Sequence, residues 1–243
     1  MRTALVRRSV LTASAVSLAL LGTACGADKA DTKADAKPSA SAPAPSPTPE
    51  VKALGAAELE KLTLADGDVP KTVIAKAGAD DVAKSSEVTT DKEQCRPLAE
   101  AGGLAPVGKA VTTTERLGTG EPTDKANPMS ITLTSVQLAS YDGKGAEEAL
   151  ASLKAAGQAC TAGFVTTTKG EKTTIKAIAP VSVSAGDDAA GWAVTAEDDG
   201  DALHSQMVAV RKGNNLFVIH TFSVTGKPAM PQAFIDAQIK KLG

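Results

Sequence analysis

The side chains able to do chemistry are few, and their spacing assembles no familiar catalytic set. The chain holds two histidines, His204 and His220, and three cysteines, Cys25, Cys95 and Cys160. It contains no Gly-x-Ser-x-Gly elbow, no His-Glu-x-x-His helix and no phosphate loop, and no Ser-x-x-Lys stands with its usual companions. Neither histidine is ligand-spaced with a cysteine, so no metal site and no cofactor are expected. His220 shares strand parity with Leu216, Val218 and Phe222, which predicts a buried, hydrogen-bonded ring rather than a general base. His204 is expected in water near a strand start. The run Glu197-Asp198-Asp199-Gly200-Asp201 lacks the ligand alternation and distal bidentate Glu of a calcium loop and reads as a solvated hairpin tip. Arg96, Arg116 and Arg211 could hold an anion if they converged. Nothing local demands that, and three separate solvated arginines are expected. No catalytic residue is assigned, and ligand-binding residues stay open.

Cys25 has a different context. Arg2, Arg7 and Arg8 precede the apolar stretch Val10 to Leu21, and Gly22-Thr23-Ala24 lead into the cysteine. This is the layout of a secretory signal, with an apolar run too short and too rich in Ala and Ser to span roughly 30 Å of hydrocarbon. Its close resembles the lipobox of bacterial lipoproteins, which implies loss of residues 1–24 and acylation of the Cys25 thiol. The membrane is then a partner through the N-terminal lipid, on the extracytoplasmic face. The lipobox prefers Leu where this chain has Gly22; a secreted protein cut near Ala24 is the alternative. Arg7-Arg8-Ser9-Val10-Leu11 also looks like a twin-arginine signal, so the export route is open.

Behind Cys25, Pro38, Pro43, Pro45, Pro47 and Pro49 stand among Ala, Ser and Thr, with no large apolar group before Val51. Such a stretch cannot bury enough surface to offset its ordering entropy, so residues 25–53 should be a disordered stalk. Residues 54–243 are enough for one domain with a sizeable core. In an oxidising compartment the remaining even pair, Cys95 and Cys160, is expected to form a disulfide. A formal charge of −2 and pI near 5.8 give no basic surface for nucleic acid. Aromatic residues are 2% of the chain, with single Trp192 and Tyr141, which disfavours a stacked sugar site.

Periodicity supplies the elements that must position these groups. Helices are expected over Leu54 to Leu64, Asp91 to Ala101, Gly145 to Cys160 and onward from Pro231. Strands are expected over Thr72 to Ala77, Val111 to Arg116 and Ser130 to Tyr141, the last with a bulge near Ser135 where apolar parity shifts. Ile175, Ala177, Ala179, Val181 and Val183 alternate over one face, and Trp192 and Val194 mark the next strand. Gly213-Asn214-Asn215 joins Met207 to Lys212 and Leu216 to Val224 as a hairpin. The sum is a single α+β domain: an antiparallel sheet packed with helices mainly on one face.

The segment Asp66 to Pro70, the run Cys95-Arg96-Pro97-Leu98, the helix ending at Cys160 before Gly163-Phe164, and the hairpin from Val208 to Asn214 together resemble a known family. They are similar to actinobacterial exported lipoproteins related to the extracellular sensor domain of a mycobacterial receptor serine/threonine kinase. The resemblance implies a sensor-like fold that binds an unknown ligand in a groove across its sheet. The expected function is non-catalytic binding of an envelope ligand or partner protein. The alternatives are a transporter's substrate-binding lipoprotein, or an envelope hydrolase using an unrecognised carboxylate site.

Overall fold

The computed structural model describes residues 51–198, 200–223 and 225–243. The signal, Cys25 and nearly all of the stalk lie outside the described residues. The chain runs through α1 (Ala56–Leu62), β1 (Thr72–Lys76), β2 (Val88–Thr90), α2 (Arg96–Gly102), β3 (Thr112–Gly120) and β4 (Thr132–Ser140). It continues with α3 (Gly145–Ala159), β5 (Phe164–Thr168), β6 (Glu171–Val181), β7 (Asp188–Asp198), β8 (Asp201–Lys212), β9 (Asn215–Ser223) and α4 (Gln232–Leu242).

The nine strands of the described residues join one antiparallel sheet in the order β1-β3-β4-β9-β8-β7-β6-β5-β2. The centre is hydrophobic on both faces, because neighbouring residues of one strand point to opposite sides. Met207 and Ala209 of β8 and Leu216 and Val218 of β9 share a cluster with Leu98 of α2 and with Leu150, Leu153 and Ala156 of α3. Val208 and Val210, with Phe217 and Ile219, join a second cluster with Leu59 of α1 and Phe234 and Ile235 of α4. The α+β antiparallel architecture expected from the sequence is present, and α1 and α4 give its second face a helical cover as well. Burial on both sides is what holds the central strands, since neither face alone has the aromatic mass of a typical core.

Two corrections concern parity. The β3–β4 and β4–β9 registers run without interruption through Ser135, so the expected bulge is not there. The apparent shift in β4 arises because Val136 and Leu138 face one cluster while Gln137 and Ala139 are buried on the other side. The irregularity sits instead in β6, between Ile175 and Ala177. It puts Ile178, buried, on the same face as Ile175, while Ala177 and Ala179 are exposed, so the expected unbroken alternation to Val183 fails.

The cysteines are joined. Cys95 closes a 3-10 turn, Glu93–Cys95, at the start of α2, and Cys160 caps the end of α3; their Cα atoms lie 5.9 Å apart. The bridge pins the two helices of one face together, as expected, and that face carries the site.

Candidate functional site

Only part of this face is covered. α3 lies over the half bearing Ala139, Ala209 and Leu216, whereas toward the other strand ends Leu203 and Phe222 are exposed. Between them the C-terminal end of α2 stands off the sheet and leaves a cavity of about 230 Å³. Leu98, Phe164, Ile175, Ile178, Val194 and Met207 supply its apolar walls, with Gly102 and Gly103 on the helix side. The glycines keep the helix end free of side chains: a Cβ built on Gly102 would still be 3.8 Å from the Met207 methyl. An adjoining cavity of about 210 Å³ shares Ile175, Val194 and His220 with it and is lined further by Leu203, Ser205 and Phe222.

His220 is the ionisable side chain of the cavity wall. The β4–β9 and β8–β9 registers set it between Ser135 and Met207 on this face. Its Nε2 and Ser205 Oγ are 2.8 Å apart, a hydrogen bond whose direction follows the tautomer. Loss of hydration among apolar walls pushes its pKa down to about 4, so the ring is neutral at pH 7. The bonded histidine expected from strand parity is found, half-buried rather than sealed.

The mouth has another character. Asp80, Asp81, Lys169 and Glu171 border it. Lys169 and Gly170 form the two-residue turn between β5 and β6, both at positive φ (52° and 90°), as such hairpins require. From there the Lys169 ammonium donates to the carbonyls of Ala79, Asp80 and Val82 at 3.1, 3.0 and 3.4 Å. The lysine thus ties down residues 79–82, and its donors are taken up by backbone.

The other sequence-singled residues do not converge here. Arg96 pairs with Glu93 at the start of α2 and donates to Val88 O at 2.9 Å. Arg211 holds Asp187 and Gly213 at the far end of β8. Arg116 corrects the expectation of solvated arginines. It is buried, its Nε donating to Leu64 O at 2.8 Å and its Nη2 to Glu60 Oε1 at 2.7 Å. His204 lies within β8, half-buried, with Nδ1 3.3 Å from Thr195 Oγ1, instead of free in water. Of the acidic run expected at a hairpin tip, Asp198 stands opposite Asp201 across β7 and β8 with Gly200 at φ 91°, and Asp199 lies outside the described residues. Among the described residues no group of acids, histidines and cysteines could hold a metal ion.

Sequence reasoning missed the cavity itself. Its floor comes from β5 and the irregular β6, the one unrecognised and the other read with the wrong parity. A usable signal was the small pair Gly102-Gly103 closing a helix that faces Phe164 and Ile175.

No known protein family matches the chain, and no curated protein matches it. Among solved structures it is similar to the extracellular domain of PknH from Mycobacterium tuberculosis, with 13% identity and a TM-score of 0.48 over 79% of this chain and 97% of that one. So distant a likeness identifies neither a family nor a ligand.

Proposed function

We propose that the protein is a non-catalytic, ligand-binding, sensor-like domain tethered by an acylated Cys25 to the extracytoplasmic face of a membrane. The observation that carries this reading is the apolar cavity beside His220, of about 230 Å³, with an open mouth. Water gains few hydrogen bonds in such a space, so it favours an apolar occupant. A ring held neutral down to about pH 4 is a poor general base at neutral pH, and the carboxylates nearest the site, Asp80, Asp81 and Glu171, stand at the mouth and not on the apolar wall. A transporter's binding protein closes two lobes on its cargo, whereas the described residues build one sheet.

The stalk joins the domain away from the site. The chain enters where Ala53 N–H donates to Asp142 at 2.8 Å and Asn214 Nδ2 donates to Lys52 O at 2.8 Å. That is the Asn215 end of β9. His220 and Phe222 lie five and seven residues further, roughly 17–23 Å along the strand. The order of residues 2–25 supports export, and a bridge between Cys95 and Cys160 suits an oxidising compartment.

The test is mass spectrometry of protein extracted from its own membrane. An N-terminal peptide beginning at acylated Cys25 is expected, together with a small apolar compound that leaves the native domain on denaturation. Cytosolic protein retaining Met1 with an unmodified Cys25, or a native domain of bare polypeptide mass, would overturn the reading.

A further inference from the structure

The cavity and its mouth differ in chemistry, and the difference selects among apolar ligands. An apolar cavity of roughly 150 Å³ admits benzene, six carbons. By that scale the 230 Å³ here takes about nine non-hydrogen atoms. No Lys or Arg stands among the residues that line it. At the mouth, Asp80, Asp81 and Glu171 present carboxylates, and the nearby ammonium of Lys169 is already spent on three carbonyls. An anionic head would find like charge outside and no cation inside, where only threonine hydroxyls and the neutral His220 could meet it, and burying a charge without a counter-charge is costly. What the wall does offer is neutral hydrogen bonding: the hydroxyls of Thr166, Thr168 and Thr173, and His220, whose ring is joined to Ser205 Oγ in the adjoining cavity.

We propose that the cavity takes a slender, uncharged hydrocarbon carrying one hydrogen-bonding oxygen, an alcohol or an ester, in preference to the corresponding carboxylate. The inference rests on the binding reading above and names the ligand class of that site. The chain lies between α2 and the β6–β8 floor, and the oxygen sits against His220 and Ser205.

The probes are 1-octanol, with nine non-hydrogen atoms, and octanoate, titrated at pH 7 into the disulfide-bonded protein while the Met207 methyl resonance is followed. Saturable shifts with 1-octanol are expected, with octanoate at least ten-fold weaker. Gly102→Leu should abolish the shifts: a Cβ there points toward the Met207 methyl across 3.8 Å, and the longer side chain fills the gap. Replacing a helical glycine favours the fold, so its melting temperature should not fall. His220→Leu keeps an apolar wall and removes the hydrogen bond, and should weaken 1-octanol about five-fold, the worth of roughly one net hydrogen bond. Octanoate binding as tightly as 1-octanol, but lost in Gly102→Leu, would overturn the uncharged class while leaving the cavity as a ligand site. Shifts that survive Gly102→Leu, or no saturable binding of either probe, would overturn the proposal, and the mass measurement above then decides separately whether the domain carries a ligand at all.

Discussion

A Cβ at Gly157 would stand 2.0 Å from the indole Nε1 of Trp192, so α3 can lie on β7 only because that helical position is bare. Trp192 is the chain's single tryptophan and is almost fully buried. Gly157→Ala gains helix propensity of about 1 kcal/mol but forces the ring or the helix to move, and overpacking of that kind costs about 1–3 kcal/mol. A net loss of up to about 2 kcal/mol is expected. Denaturation followed by the Trp192 fluorescence reads it directly, and an unchanged midpoint would show that the helix shifts without penalty.

Arg116 should act as a structural cation. Its guanidinium joins Leu64 O, Glu115 O and Glu60, knitting β3 to the end of α1. Arg116→Met leaves the Leu64 carbonyl without its donor and should cost about 2–3 kcal/mol. Glu60 is far more exposed, and Glu60→Gln should cost under about 1 kcal/mol. Urea midpoints of the two variants check the asymmetry.

The Cys95–Cys160 bridge closes a separation of 65 residues. In the chain-entropy model a loop of that length stabilises the fold by about 4 kcal/mol. Reduction, or paired Cys95→Ser and Cys160→Ser, should lower stability by that order, and α2 should lose hydrogen-exchange protection before α4. α2 has seven residues and depends on the bridge to stay against α3, whereas α4 packs independently through Phe234 and Ile235. Equal loss of protection in both helices would show that the bridge acts on the whole domain alike.

What the sequence made legible was local. The α3 stripe, the Gly213-Asn214 turn and the parity of His220 follow from spacing alone and appear as expected. Arg116 could not be read in this way, since its partners Leu64 and Glu60 lie some fifty residues earlier and the burial comes from α1 folding over β3. β2 is three residues long and gives no period, and β5 is mostly Thr, so neither stood out from loop. β6 misled because small Ala residues fit either face, and only the irregularity between Ile175 and Ala177 decides which side is inward. The cavity depends on those two strands, so it was invisible although its histidine was not.

That histidine should leave a mark on the pH dependence of stability. Its ordinary pKa is near 6.5, and burial pushes it down to about 4 in the folded protein. The fold therefore favours the neutral ring: this contribution is fully present above about pH 6.5 and is lost as pH falls through about 4. Linkage sets a ceiling of about 3 kcal/mol for such a drop; because the ring borders an open cavity, a loss on the order of 2 kcal/mol is the expected size. His220→Gln preserves a hydrogen-bonding group toward Ser205 without a proton to gain, so its stability should fall less steeply between pH 6.5 and 4. Asp80, Asp81 and Glu171 at the mouth remain in both proteins, so subtracting the variant's profile removes most of their share. Parallel profiles for wild type and His220→Gln across that window would mean that the ring is solvated, and that the cavity wall is wetter than its residues imply.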